Sequence, residues 1–256
     1  MLDIVQIPVL NDNYVYLVRD AASEATAVVD PAVAAPVSEA LAARGWTLTH
    51  ILNTHHHGDH VGGNLELKAA TGCTIVGPAA DRDRIPGIDI AVADGDAYQF
   101  GTQAARVLDV PGHTRGHIAY YFADAGALFC GDTLFAMGCG RLFEGTPAQM
   151  LNSLNKFADF PDATRVYCAH EYTEANGRFA LTVEPDNAAL IERMEAVRRS
   201  RAAGQPTVPS TLGQERETNP FLRSAAAGLR ATLGLEHAED VEVFARTREL
   251  KDSFRG

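Results

Sequence analysis

The sequence is poor in cysteine and lacks a long apolar segment. No apolar run reaches the roughly eighteen residues that a transmembrane helix needs, so no membrane span is expected. The first ten residues include an aspartate and lack the basic start of a signal peptide. The four cysteines form no Cys-x-x-Cys pair, which argues against a disulfide framework. We therefore expect a cytoplasmic protein with reduced cysteines and no membrane association.

Positive charge is also scarce. The 33 acidic residues outnumber the 22 basic ones and give a formal net charge of −11. Because such a chain repels phosphate backbones, nucleic-acid binding is not expected. The basic residues are unevenly distributed along the chain, however, and 11 of the 22 lie in residues 191–256. A solvated helical surface explains most of that clustering, and a local anion site there is the open alternative.

The composition and the hydrophobic pattern of the chain change near residue 170. Before this point short β-prone segments alternate with turns, whereas after it alanine, arginine and glutamate recur at helical spacing. We predict an α/β domain over residues 1–170 and a smaller all-helical domain over 171–256. Predicted helices cover 36–44, 65–70, 147–157, 173–181, 187–203, 224–233 and 240–254. The proline-rich segment 204–220 is predicted to be a loop.

Residues 54–63 carry the main chemical signal, with the sequence Thr-His-His-His-Gly-Asp-His-Val-Gly-Gly. The segment follows a short apolar strand and offers imidazoles and a carboxylate, the ligands that zinc and related metals prefer. Alternate side chains of an extended segment share a side, so His55 and His57 can bind one ion together. Asp59 and His60 lie beyond the turn and can face a second ion. His56 should point the opposite way and have a structural role.

Three further residues of ligand type follow predicted strands. They are His113 after the strand 105–110, Asp132 after 127–130 and His170 after 165–169. Each alone is a weak signal, since a loop aspartate is usually a turn residue. Together they repeat one pattern, in which metal ligands stand at strand ends.

With these residues the chain resembles the metallo-β-lactamase superfamily, and more narrowly the hydroxyacylglutathione hydrolase (glyoxalase II) family. The resemblance covers nearly the whole chain. The motif at 55–60 is typical of the superfamily, whereas His170-Glu171-Tyr172-Thr173 and the segment 248–254 point to the thioesterase branch. The implied fold is a metallo-β-lactamase-like αββα sandwich followed by a helical domain.

The resemblance also implies a two-metal site. Residues His55, His57 and His113 would hold one divalent ion, and Asp59, His60 and His170 would hold the other. Asp132 would bridge them. Zinc is the expected metal, with iron or manganese as alternatives. Asp59 and Asp132 would be the catalytic carboxylates, and a metal-bridging hydroxide would attack a thioester, since such a centre lowers the pKa of bound water and stabilises an oxyanion.

The substrate implied by the resemblance is S-(2-hydroxyacyl)glutathione, chiefly S-D-lactoylglutathione, which is hydrolysed in methylglyoxal detoxification. The positions that match the family's glutathione site are Arg141, Phe143, Tyr172, Arg248 and Lys251. The family often has lysine at position 141 and tyrosine at 143, so one glutathione hydrogen bond is in doubt at Phe143. Without the resemblance, Arg248 and Lys251 would be interpreted as a solvated helix face.

The sequence leaves other functions open. A glutathione persulfide dioxygenase with a single iron would use the same fold, but both sets of metal ligands are present here. A non-catalytic metal-binding module and a β-lactamase are further alternatives, and the matching glutathione positions argue against them. Nothing in the sequence demands a partner other than a small-molecule substrate, and we expect a monomer.

Overall fold

A computed structural model of the chain describes residues 2–256. Contacts between Cα atoms divide the chain into two compact units. The first contains the residues up to Val110 together with Thr114–Gly131, and the second contains Pro111–His113 and Asp132–Gly256. The domain boundary predicted at residue 170 does not coincide with the limits of these units, and it stays a prediction. No helix within residues 2–256 combines the length and apolar character needed to cross a bilayer.

The first unit is rich in strands. Its strands are β1 (Leu2–Val9), β2 (Asn13–Asp20), β3 (Thr26–Val29), β4 (His50–Leu52), β5 (Thr74–Pro78), β6 (Ile90–Val92), β7 (Ala97–Phe100), β8 (Gln103–Asp109), β9 (Ile118–Phe122) and β10 (Ala127–Gly131). Its helices are α1 (Ala34–Arg44), α2 (Gly58–Val61) and α3 (Asn64–Thr71). Strands β1 to β6 form one sheet in chain order, antiparallel from β1 to β3 and parallel from β3 to β6. Strands β7 to β10 pair antiparallel in a second sheet.

The core of the first unit lies against the β1–β6 sheet. Strand β2 is buried along almost its whole length, because its apolar and aromatic residues suit a covered pleated surface. Helix α1 ends at Gly45, whose φ of 64° is the left-handed conformation that glycine adopts without steric cost. Its buried residues Val37 and Leu41 belong to the apolar cluster of this sheet. The predicted helix over 36–44 is therefore confirmed, with two further residues at its start.

The second unit is mainly helical. Its helices are α4 (Pro147–Asn155), α5 (Thr173–Val183), α6 (Ala188–Ala202), α7 (Leu212–Thr218), α8 (Ala227–Leu233) and α9 (Asp240–Ser253). Its strands are β11 (Leu134–Phe135), β12 (Gly138–Cys139), β13 (Arg165–Cys168) and β14 (Ser210–Thr211). Strand β11 pairs antiparallel with β12, and β13 pairs antiparallel with β14. Met137, Ala180, Leu190, Met194 and Val197 form one apolar cluster in it.

Helix α4 begins as predicted, with Thr146 capping it and Pro147 in the first helical position. The loop prediction for 204–220 is wrong in part, because it contains β14 and α7. A capping box starts α7, in which the Thr211 hydroxyl accepts from the backbone of Gln214. The predicted helix over 224–233 begins only at Ala227.

Candidate metal centre

The segment after β4 brings two histidine rings together. His55 is fully buried, and its Nε2 atom lies 3.1 Å from Nδ1 of His57. Two nitrogens bound to one tetrahedral ion at 2.0–2.1 Å would stand about 3.3 Å apart. The observed separation therefore fits two ligands of a single ion, as expected for alternate residues of an extended segment.

Helix α2 carries the next two candidate ligands. The Oδ2 atom of Asp59 lies 3.5 Å from Nε2 of His60, again close to the spacing of two ligands on one ion. The other ring nitrogen of His60, Nδ1, lies 3.1 Å from Oδ2 of Asp30. A carboxylate on one nitrogen fixes the ring and its tautomer, so that Nε2 can coordinate a metal.

Asp30 was not predicted as part of the site. It is buried directly after β3, and its carboxylate accepts 2.7 Å hydrogen bonds from the backbone and hydroxyl of Thr54. Asp30, His55 and His60 offer possible ligand atoms within 4.8 Å of one another. Because its oxygens already accept from Thr54, Asp30 holds the ligand segment in place. The only signal in the sequence was an aspartate at a strand end.

Two more residues around this segment were missed. The ring of His117 stacks on that of His55, with centroids 4.5 Å apart and planes at 19°. Asn13, the first residue of β2, donates from Nδ2 to Oδ2 of Asp59 at 3.0 Å. Both lie far from His55–His60 in sequence, so no local pattern links them to it. His56, in contrast, turns to Asp81, with 3.0 Å between Nδ1 and Oδ2.

In the second unit one carboxylate faces two histidines. The Oδ2 atom of Asp132 lies 3.4 Å from Nε2 of His113, and its Oδ1 atom lies 3.4 Å from Nε2 of His170. All three side chains are buried. Nδ1 of His113 donates to the carbonyl oxygen of Arg141 at 2.9 Å, which leaves Nε2 as the coordinating atom. Each oxygen of Asp132 thus stands beside a different imidazole.

Backbone packing fixes the approach of these residues. A Cβ atom on Gly140 would stand 2.0 Å from the carbonyl oxygen of Asp132 and 3.2 Å from Cβ of His113. Only glycine leaves room for that approach. Four of the seven predicted ligands thus lie in the first unit and three in the second. Each unit contains pairs of possible metal-donor atoms that lie close together.

These donors fit a borderline divalent metal. Within each unit the paired nitrogen and oxygen atoms lie 3.1–3.5 Å apart. They are imidazole and carboxylate groups without a cysteine, a set that zinc, iron and manganese accept. Three of the rings have their second nitrogen beside Thr54, Asp30 or the Arg141 carbonyl, as metal-bound imidazoles usually do.

Two predicted substrate residues lie beside the ligands of the second unit. Phe143 is 63% exposed, and its ring packs edge-on against His113 at 5.2 Å between centroids. Tyr172 is 37% exposed and stacks on His170. Aromatic side chains that are half open to solvent and packed on candidate ligands can contact a bound substrate.

The predicted basic residues gather near the end of α9. Arg248 is buried and donates to the carbonyl oxygen of Cys139 and to Oδ1 of Asp252, both at 2.9 Å. The solvated-face interpretation is therefore wrong for Arg248. Burial and the nearby arginines, Arg248 and Arg141 foremost, lower the pKa of Lys251 to about 8. An open cleft of about 550 Å³ is lined by Arg248 and Asp252.

Cysteine chemistry has no place in this arrangement. All four cysteines are buried, and none forms a disulfide. Burial raises the pKa of Cys139 to about 11 and that of Cys168 to about 12, so both are thiols at neutral pH. A thiol with a raised pKa is a poor nucleophile.

Comparisons with known proteins find matches along the whole chain. The model of the metallo-β-lactamase superfamily matches residues 10–170, and that of the hydroxyacylglutathione hydrolase C-terminus matches residues 171–254. A hydroxyacylglutathione hydrolase from Methylococcus capsulatus is 64% identical over 256 residues, covering 100% of both chains. This chain belongs to the hydroxyacylglutathione hydrolase family. The family resemblance seen in the sequence is thereby confirmed.

Solved structures of other proteins are similar to this chain in fold. ETHE1 from Myxococcus xanthus superposes with a TM-score of 0.69 at 24% identity, covering 97% of this chain and 90% of the other. TTHA1623 in a di-iron-bound form superposes with a TM-score of 0.61 at 25% identity, covering 86% and 100%. The predicted fold, a metallo-β-lactamase fold followed by a helical C-terminal domain, is confirmed.

Proposed function

We propose that the chain is a thioesterase that hydrolyses S-(2-hydroxyacyl)glutathione, chiefly S-D-lactoylglutathione, to glutathione and D-lactate. This reaction is the second step of methylglyoxal detoxification. The observation that carries the proposal is 64% identity to a named hydroxyacylglutathione hydrolase over the full length of both chains. The paired donor atoms described above support it, because they give the chain the ligands that such chemistry needs.

The centre would hold two divalent ions, zinc first among the candidates. His55, His57 and His113 would bind one, Asp59, His60 and His170 the other, and Asp132 both. Support comes from Asp132, whose two oxygens stand beside different histidines. Iron is a serious alternative, since TTHA1623 of the same fold is described in a di-iron-bound form.

When bound, the metals supply an activated water and polarise the thioester carbonyl. The chain supplies the rest. Asp59 and Asp132 contribute two negative charges that balance part of the metal charge, and the buried histidines hold the donor atoms in place without reorganisation. The leaving thiolate of glutathione is stable near neutral pH and needs no strong general acid, so the absence of one from the proposed residues is no obstacle.

Glutathione would bind through Arg141, Lys251 and Tyr172, with Phe143 packing on the substrate. Arg141 and Lys251 place positive charge on an acidic chain. Burial and repulsion from nearby arginines lower the pKa of Lys251, and a bound carboxylate would offset that repulsion. Arg248 donates to the Cys139 carbonyl, so we infer that it supports the site as well as adding charge. We further propose a cytoplasmic monomer. The buried cysteines, none of which forms a disulfide, suit a reducing compartment.

The experiment is a thioester hydrolysis assay combined with metal analysis of the same purified sample. We expect turnover of S-D-lactoylglutathione with two metal ions per chain. Asp132→Ala should lose tight binding of both ions and reduce kcat by more than about a hundredfold, the upper end for residues that only support a ligand. Retention of wild-type kcat and two ions in that variant would overturn the role given to Asp132.

The same samples test the persulfide dioxygenase alternative. A plateau at one iron per chain with oxygen consumption on glutathione persulfide, and no thioester hydrolysis, would favour the dioxygenase. Two ions with hydrolysis favour the thioesterase.

A further inference from the structure

The hairpin between β1 and β2 reaches the ligand segment through Asn13. In the register of this hairpin Asn13 pairs with Val9, so it is the first residue of β2 after the turn. Its residue surface is 94% buried, that is, 6% exposed. Its Nδ2 group donates to Oδ2 of Asp59 at 3.0 Å and contacts the Asp59 carbonyl oxygen at 3.4 Å. One amide thus contacts both the side chain and the backbone of Asp59.

These contacts bear on the orientation of the Asp59 carboxylate. The oxygen that accepts from Asn13 is the one that lies 3.5 Å from Nε2 of His60. A carboxylate oxygen has two lone-pair positions, so it can accept from an amide and still offer a lone pair to a metal. The Asp59 side chain is 39% exposed, so packing covers only part of it, and the hydrogen bond from Asn13 helps to select its rotamer.

We propose that Asn13 is a positioning residue that fixes Oδ2 of Asp59 beside His60 and thereby sets the affinity of one metal site. The inference rests on the dinuclear centre of the proposed function. Residues that hydrogen-bond a metal ligand typically change metal affinity by tenfold to a hundredfold when they are removed.

The effect should be confined to one of the two ions. Asn13 contacts Asp59, whereas His55 is held by Thr54 and by stacking on His117. Loss of the amide therefore leaves the surroundings of His55 and His57 as they are. A residue that only stabilised the fold would affect both ions together.

The test is a zinc titration of the metal-free, full-length chain in competition with a chromophoric chelator. It measures dissociation constants and needs no turnover. In Asn13→Ala and Asn13→Leu we expect one zinc dissociation constant to rise tenfold to a hundredfold while the other stays within about twofold of wild type. Leucine keeps the branched shape and the number of heavy atoms of the side chain and removes the donor.

Asn11→Ala is the matched control, because Asn11 is an exposed asparagine in the turn that precedes Asn13. It should leave both constants unchanged. Unchanged constants in both Asn13 variants would overturn the inference. So would a parallel rise of both constants with a lower Tm of the metal-free chain, which indicates a structural role. If wild type itself saturates at one zinc, the dinuclear centre fails, and that result is visible without any variant.

Discussion

Tyr172 stacks flat on the ring of His170, with centroids 4.6 Å apart and planes only 4° from parallel. His170 in turn lies beside Oδ1 of Asp132. A residue expected to bind glutathione is therefore in direct contact with a candidate metal ligand. Stacked aromatic pairs contribute about 0.5–1.5 kcal/mol beyond their buried area, so the contact restricts the ring of His170.

Substitution of Tyr172 should separate its two roles. Tyr172→Phe keeps the stacking and loses the hydroxyl, so KM for S-lactoylglutathione should rise about twofold to tenfold with kcat unchanged. Tyr172→Ala also loses the stacking and should weaken zinc binding. Steady-state kinetics and zinc titration measure the two effects. Equal metal affinity in both variants would show that the stacking does not restrict His170.

Phe143→Tyr should improve substrate binding. Phe143 is exposed beside His113, and the added hydroxyl can donate to glutathione where the family often has tyrosine. One neutral hydrogen bond is worth about 0.5–1.5 kcal/mol, so KM should fall about twofold to tenfold at constant kcat. A thioester without a glutathione moiety is the control substrate and should show no change. A higher KM for S-lactoylglutathione would contradict the prediction.

Lys251 should make substrate binding dependent on pH. Its pKa is lowered from 10.5 to about 8 by burial and neighbouring arginines. Below pH 8 the ammonium group can hold a carboxylate, and above it the charge is lost, so KM should rise as pH passes through about 8. Lys251→Met should have a high KM with no such rise, and Lys251→Arg should keep a low KM at pH 9. Parallel profiles in wild type and Lys251→Met would contradict the assignment.

The same shift has a consequence for folding. Between pH 8 and 10.5 the unfolded chain keeps the Lys251 proton that the folded chain has lost, so this group makes stability rise with pH in that window. Denaturant unfolding at pH 7.5 and 10 should show a gain for wild type relative to Lys251→Met. The comparison cancels the groups that both proteins share.

Arg248 should differ from Lys251 because its guanidinium is buried and bonded to the chain. Arg248→Met leaves the Cys139 carbonyl without its charged donor and should destabilise the protein by about 1–3 kcal/mol, in addition to raising KM. Arg141→Ala is the control, since the Arg141 side chain is 58% exposed and its loss should affect KM alone. Denaturant unfolding of Arg248→Met with a wild-type midpoint would contradict a supporting role.

The sequence could predict the features that depend on residues close together in the chain. The start of α4 at Thr146 depends on neighbouring residues, and the pattern alone revealed it. The family motifs are also short local patterns, and they identified the fold and the candidate ligands. The helix α7 was missed because the prolines on either side of it and Gly213 within it outweighed the Thr211 cap.

The supporting residues were out of reach for a different reason. Asn13 and Asp30 approach the ligand segment from other strands, 46 and 24 or more residues away in the chain. An asparagine after a turn and an aspartate at a strand end have ordinary local explanations. Only the paired strands bring them to Asp59 and His60, and the sequence does not specify such pairing by local pattern.

Gly140 limits how the substrate range of this chain could be changed by directed evolution. Any side chain at this position would meet the Asp132 carbonyl oxygen, so a mutant library that varies it would consist mostly of variants with a displaced carboxylate. Phe143, three residues later, is exposed and tolerates exchange without that penalty. A mutant library of this segment should therefore keep glycine at position 140 and vary position 143.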